Sequence, residues 1–403
     1  MKAAALSDEQ RLDWLQLIRC ENIGPRSFHK LMRRHGSAAA ALDALPALIR
    51  QGSGQPAGRR IVIAARELCA REFQAAQRMG ARFVALGEPD YPRGLAYIEA
   101  PPPLICLRGD ASLFKKPVVA VVGARNASGA GLAFTERLTR GLGEAGFVIV
   151  SGLARGIDGC AHKIALASGT IGVLAGGLDK PYPPENLGLI EEVARRGALL
   201  SEMPLGCAPR GRDFPRRNRL VSGLALGVVV VEAERRSGTL ITARFARDQG
   251  RELFAVPGSP LDPRAEGTND LLNEGAFMCR NAGDVVDRLA PLAQRGAAGY
   301  GMLAEPGAPD IHERLWDEYD DVPDLAPAAL PASDHRESEI AEAPPGAPAP
   351  VEQFLGPTPL SVDELARATE RRPAEVRMRI QELELEGRID RHSGDRVSLR
   401  QIP

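Results

Sequence analysis

Residues 118–131 read VVAVVGARNASGAG. An apolar run ends on Gly123 and opens into a loop of small residues, the usual form of a strand leading into a phosphate-binding turn. Arg125 stands where a dinucleotide fold places its second glycine. The spacing from Gly123 to Gly129 is neither GxGxxG nor a Walker loop, and no Lys-Ser/Thr pair follows. The next apolar run ends on Ser151-Gly152, with no acid to hold a ribose. The turn offers backbone donors to a phosphate, Arg125 offers a counter-charge, and the familiar nucleotide cofactors do not fit.

Outward from this stretch, apolar runs alternate with helical ones. FVIVSG, TIGVLAGG, ALLSEMP, LGVVVVEA and ELFAVPG read as strands, and the segments between them as helices. Strands that are apolar throughout lie in a parallel sheet covered on both faces. The expected fold class is therefore α/β, a Rossmann-like, doubly wound, mainly parallel sheet over residues 81–290. RFVALGEPDYPRGLAYIEAPPPLICLRGD at its start reads as short strands and proline-bounded turns.

Residues 1–80 read as short helices, with Ser7 capping the first and Ile23-Gly24-Pro25 between two of them. That turn resembles the hairpin of helix-hairpin-helix modules, although a plain tight turn explains it as well. Residues 291–350 are rich in Pro, Ala and acid and read as a linker; HERLWDEYD inside it has the pattern of a short helix. Residues 351–403 read as a winged helix: a Ser361-capped helix, a second helix, and a hairpin turning at Ser393-Gly394. Its second helix mixes Arg371, Arg372, Arg377 and Arg379 with Glu375, Glu382, Glu384 and Glu386. So mixed a face favours protein contact or a structural role over duplex reading.

The net charge of −1 hides an asymmetry. Residues 301–350 hold twelve Asp and Glu against two Arg, a net of −10, which leaves +9 on the rest. A basic body beside an acidic tract points to a polyanion partner, while the tract itself reads as a solvated linker. The six cysteines form no CxxC pair and have no histidine at ligand spacing, which argues against zinc or a disulfide scaffold. With no signal-peptide pattern and no long apolar run, a cytoplasmic location away from membranes is expected.

In an open α/β sheet, ligands sit at the carboxyl ends of the strands. The loops expected there hold Gly123 and Arg125; Ser151, Gly152 and Arg155; Lys180; Arg212, Phe214, Arg216, Arg217, Asn218 and Arg219; and Ser237, Gly238 and Thr239. Glycines and hydroxyls suit phosphate oxygens, and arginines add fixed charge and bidentate forks. Arg219 also has a structural alternative, burial against an acid such as Glu202. Phe214 can stack a base between arginines or belong to the core. His162, alone on a helix, reads as packed rather than catalytic. Asp158, Asp179 and Glu232 form no pairing of nucleophile and base. No catalytic residue, metal ligand or cofactor is assigned: a site rich in donors and poor in nucleophiles binds rather than reacts.

Taken together, VAVVGAR, IVSGLARGIDGCAH, GGLDKPYP, SEMPLG, FPRRNRLVSGLA, VVVVEAERRSGTLITA, FAVPGS and GTNDLLNEGA closely resemble the bacterial DNA-processing protein A (DprA/Smf) family, in family order over roughly residues 90–285. The N-terminal helices resemble that family's sterile-alpha-motif-like domain, and residues 351–403 its winged helix. The resemblance implies single-stranded DNA bound in a basic Rossmann pocket, homodimers formed through that domain, no catalysis, and loading of RecA onto protected strands in natural transformation and recombination. It also implies that Arg125 contacts DNA and that Ser151-Gly152 and Phe214–Arg219 line the pocket. One departure is that no lysine follows Tyr182-Pro183, so Lys180, Arg210 or Arg212 would supply that charge. Two other readings stand beside this one: a nucleoside monophosphate phosphoribohydrolase using Glu232 and Ser237-Gly238-Thr239, and a winged-helix regulator of duplex DNA.

Overall fold

Ser7 starts the first helix, α1 (Asp8–Arg19), through a capping box. Its hydroxyl accepts from Gln10 N–H, and the Gln10 side chain accepts from Ser7 N–H. Three helices follow, α2 (Pro25–His35), α3 (Ala38–Gly52) and α4 (Arg66–Arg78). Leu17, Ile23, Phe28, Ala41 and Leu45 form the core of this bundle. Pro25 occupies the first position of α2, where its missing N–H costs no helical bond. The structure, a computed structural model, describes residues 5–52, 61–296, 299–300, 350–392 and 394–400.

The body is a nine-stranded sheet. Its strands are β1 (Ala81–Ala85), β2 (Leu104–Gly109), β3 (Val118–Val122), β4 (Val148–Ser151), β5 (Thr170–Val173), β6 (Ala198–Ser201), β7 (Gly227–Val230), β8 (Glu252–Ala255) and β9 (Phe277–Met278). They lie in the order β1-β2-β6-β5-β4-β3-β7-β8-β9. β1 and β2 pair antiparallel, β2 is antiparallel to β6, and the other pairs are parallel. α5 (Arg93–Ala96) joins β1 to β2; α6 (Gly129–Glu144), α7 (Ile157–Ala165) and α8 (Leu187–Arg196) lead to β4, β5 and β6. α9 (Asp213–Leu224) then carries the chain back to β7 on the far side of β3, and α10 (Gly238–Asp248), α11 (Pro263–Asn273) and α12 (Ala282–Gln294) finish the body. β3 thus has β4 on one side and β7 on the other, so the direction of winding reverses there and opens a crevice at the carboxyl ends.

The strand pattern explains the burial. In β3, Val118, Ala120 and Val122 pack into one face's core, while Val119 and Val121 pack into the other's. Every residue of β3, β4, β5, β6 and β7 is buried, as strands covered on both sides require. The short β9, with Phe277 and Met278 exposed, carries no such apolar signature. Beyond residue 290, Leu292 packs α12 against the body, and Arg251 donates to the Tyr300 carbonyl at 2.9 Å. The acidic tract at 301–349, HERLWDEYD included, lies outside the described residues.

β10 (Leu360–Ser361), α13 (Val362–Thr369), α14 (Pro373–Leu385), β11 (Ile389–His392) and β12 (Arg396–Leu399) form a winged helix with a three-stranded sheet ordered β10-β12-β11. Ser361 and Glu364 make the capping box of α13. This domain rests on the first turn of α6. A Cβ on Gly129 would strike the Leu360 side chain, and Ala130 packs into the winged-helix core. Lys163 pairs with Glu370 at 2.7 Å, and Arg264 reaches the carbonyls of Gln353 and Leu355.

Candidate nucleic-acid interface

The carboxyl ends of β3, β4, β5 and β7 bring the expected residues to one edge of the sheet. Phe214 in the first turn of α9 is their centre. Its ring is half-buried; the Arg125 guanidinium lies 5.4 Å from the ring centroid and the Arg217 guanidinium 5.8 Å. Tyr182 meets the same ring edge-on at 5.8 Å. Arg125 is exposed, as are Lys180 and Arg155; Arg212 is half-buried at the N-cap of α9. Among the described residues, no carboxylate pairs with Arg125, Lys180 or Arg212. Arg155 stands 3.6 Å from Glu185, and Arg210 3.5 Å from Asp213.

Ser237, Gly238, Thr239 and Asn218 hold the crevice together. Ser237 caps α10 by accepting from Thr239 N–H at 3.2 Å. The Thr239 hydroxyl donates to Gly123 O at 3.1 Å, and Asn218 Nδ2 to Gly238 O at 3.3 Å. The loop after β3 is thereby tied to the start of α10 and to α9. Gly123 itself is a packing requirement, because a Cβ there would lie 2.6 Å from Ile157.

Three expectations change. The first concerns Arg217 and Arg219, expected among the pocket's DNA contacts: both are buried in the fold. Arg217 Nη1 donates to the carbonyls of Gly152 and, at 2.8 Å, Val173, the ends of β4 and β5. Burial pulls its pKa down to about 10, against the pull of nearby Asp158. Arg219 is 3% exposed and paired with Glu202, the structural alternative read from its position. Arg216, between them, is half-buried.

The second concerns Ser151 and Gly152, whose donors serve the protein itself. The Ser151 hydroxyl donates to Val121 O at 2.7 Å, and Gly152 N–H to Asp158 at 3.1 Å. Gly152 leaves room for the Arg217 head, which a Cβ would strike. Asp158 is buried, and desolvation raises its pKa. His162 is buried with Nδ1 2.7 Å from the Thr170 hydroxyl; burial lowers its pKa to about 3.

The third concerns the turn that opened the sequence. At the start of α6, where a dinucleotide fold seats a pyrophosphate, the protein supplies its own anion. Glu232, following β7, accepts from Ser128 N–H at 2.9 Å and from the Ser128 hydroxyl. That hydroxyl oxygen in turn accepts from Gly131 N–H at 2.9 Å. Desolvation raises the Glu232 pKa, while the positive end of the helix favours its charge. Leu360 and Phe354 cover the same turn from the winged helix. The cap spans 104 positions of sequence and leaves no local signal. Tyr182, absent from the expected contacts, had one: an aromatic in a proline-bounded loop facing the same edge.

The six cysteines are free, and no group of His, Cys, Asp or Glu among the described residues can hold a metal ion. No described helix is long and apolar enough to cross a membrane.

Comparison with known proteins agrees with this architecture. Residues 82–290 match the family described as DNA recombination-mediator protein A, residues 8–75 the DprA-like N-terminal HHH domain, and residues 335–395 the DprA winged helix domain. The chain is 42% identical to the DNA processing protein DprA of Bacillus subtilis over 54% of this chain and 75% of that one. It is 34% identical to the protein Smf of Synechocystis over 72% and 76%. The X-ray structure of DNA processing protein A from Streptococcus pneumoniae superposes with a TM-score of 0.58 at 30% identity, covering 70% of this chain and 98% of that one. With its central sheet matched from end to end and both flanking domains matched in order, the chain belongs to the DNA recombination-mediator protein A (DprA/Smf) family.

Proposed function

We propose that this chain binds single-stranded DNA along the carboxyl edge of its sheet, without catalysis, and passes the protected strand to the RecA recombinase in recombination and natural transformation. One observation carries the binding step: a half-buried Phe214 framed by Tyr182 and by the exposed, carboxylate-free Arg125. An aromatic face stacks a base, and a neighbouring guanidinium takes the phosphate beside it. Lys180 and Arg212 extend the charge along the edge. Arg217, Arg219, Ser151 and Gly152 support this platform from below, Asn218, Ser237, Gly238 and Thr239 brace its walls, and Arg155 stands at its rim. The family description names a recombination mediator, which supports the RecA step.

The phosphoribohydrolase reading needs Glu232 turned toward a substrate, whereas both of its oxygens accept from Ser128. The duplex-regulator reading loses Arg379, which already faces Glu352 and Glu382, and keeps the exposed Arg372 and Arg377. Homodimer formation through the Rossmann domain completes the proposal, and sedimentation of the full chain tests it. The binding test is fluorescence anisotropy with a labelled oligothymidylate against a duplex, at two salt concentrations. The expected result is preference for the single strand and affinity that falls steeply with salt. No binding in low salt would sink the reading and make release of free base from nucleoside monophosphates the next assay.

A further inference from the structure

α2 carries no acidic residue. Arg26, Lys30 and Arg34 follow one another at i, i+4, and Arg33 lies beside them, an arrangement whose like charges weaken the helix that holds them. Arg26 spends its charge on Glu99. Lys30, Arg33 and Arg34 are exposed, and among the described residues no carboxylate pairs with them. A helix that keeps such a face gains from a polyanion lying on it.

The topology places the first turns of this helix beside the edge already described. β2 runs antiparallel to β6 with Cys106 opposite Ser201, so the chain before Leu104 extends past the carboxyl end of β6. That chain, residues 99–103, is gripped from two sides. α2 reaches it through the Arg26–Glu99 pair and through His29 Nε2, 2.9 Å from Pro101 O. α9, the helix of Phe214, reaches it through Arg219, which donates to Ala100 O at 3.4 Å. β2 stands three strands from β4, about 15 Å at the usual strand spacing. α2 and the helix that carries Phe214 thus meet on the same short span of backbone, residues 99–101.

We infer that Lys30, Arg33 and Arg34 form a second contact surface for the sugar-phosphate backbone, continuing the path of a strand seated on Arg125 and Phe214. The inference rests on the strand-binding reading of that edge and adds where the strand runs next. The contacts are electrostatic and indifferent to base identity, because lysine and arginine heads meet phosphates there.

The test measures affinity for oligothymidylate against salt with the full chain, the triple variant K30A/R33A/R34A, R125A, and the control K115A/K116A. Lys115 and Lys116 are exposed just ahead of β3, at the amino edge. Each phosphate contact on a single strand contributes about 0.7 to the slope of log affinity against log salt. The triple variant is expected to bind more weakly and to flatten that slope by about 2, with an unchanged circular dichroism spectrum, while the control keeps the parent slope. If the parent binds and R125A weakens it while the triple variant keeps the parent slope, this inference is overturned and the Phe214 site stands. An equal loss in the amino-edge control also overturns it. A parent that binds no strand removes the site and the inference together.

Discussion

The carboxyl edge of the sheet and the winged helix are both rich in arginine, yet they pair it differently. In the winged helix, Arg379 meets Glu352 and Glu382, Arg388 meets Glu386, Arg391 meets Glu384, and Arg400 meets Asp390, while Arg372 and Arg377 are exposed with no carboxylate pair among the described residues. At the edge, Arg125, Lys180 and Arg212 stand without a carboxylate among the described residues. Paired surface charges cancel at a distance, and unpaired ones build a field that draws a polyanion. Basic composition alone does not mark a nucleic-acid surface; the placement of the acids does.

The edge itself holds two kinds of arginine, and substitution separates them. The largest effect is expected from Arg217→Ala, which strips the carbonyls of Gly152 and Val173 of a buried, charged donor. Hydrogen bonds from a charged group are worth about 1.5–3 kcal/mol each, and their loss is read as a lower denaturant midpoint. Phe214→Ala is expected to leave folding nearly intact and to weaken single-strand binding by about 1–3 kcal/mol, the worth of one stacked base. Unaltered binding would assign that ring to the core.

Beneath the edge, His162 gives the buried layer a pH signature. Its folded pKa of about 3 lies below its ordinary 6.5, so the unfolded chain takes up a proton that the folded chain refuses. Its contribution is complete above pH 6.5 and is lost as pH falls toward 3, at up to about 1.4 kcal/mol per pH unit. His162→Gln is expected to flatten stability against pH in that window; an unchanged curve would place the acid sensitivity elsewhere. Arg125→Ala should act on binding and spare the fold, reducing the salt slope by about 0.7. The smallest effect belongs to the other region: Arg391→Ala in the winged helix is expected to change strand affinity by less than about 0.5 kcal/mol. A larger loss would erase the contrast between the two surfaces.

Much of the fold was legible because buried parallel strands are apolar at every position, as in VVAVV and GVVV. β9 was not, since two exposed residues at a sheet edge carry no periodic signal. The site was legible as a set of loops but not in its division of labour. RDFPRRNRLVSGL reads as a comb of equal cations, whereas helical spacing puts Arg217 in line with Leu220, Val221 and Leu224, the buried stripe of α9. That alignment was the available sign that Arg217 faces inward. Glu232 gave none, because its partner arrives from the other side of the switch in strand order.

That glutamate also decides what the crevice ignores. A cell is crowded with free nucleotides whose phosphates seek open helix starts, and a strand carrier with such a slot would be chronically occupied by small change. With its own carboxylate fixed over Ser128 and Leu360 closing the cover, this helix start is already taken at the point where a dinucleotide fold seats a pyrophosphate. What remains is an open ledge on which a single phosphate gains little and a long chain of them gains repeatedly. Under the proposed strand-binding reading, selectivity for polymer over building block needs no gate or energy source; it follows from one side chain having taken the seat first.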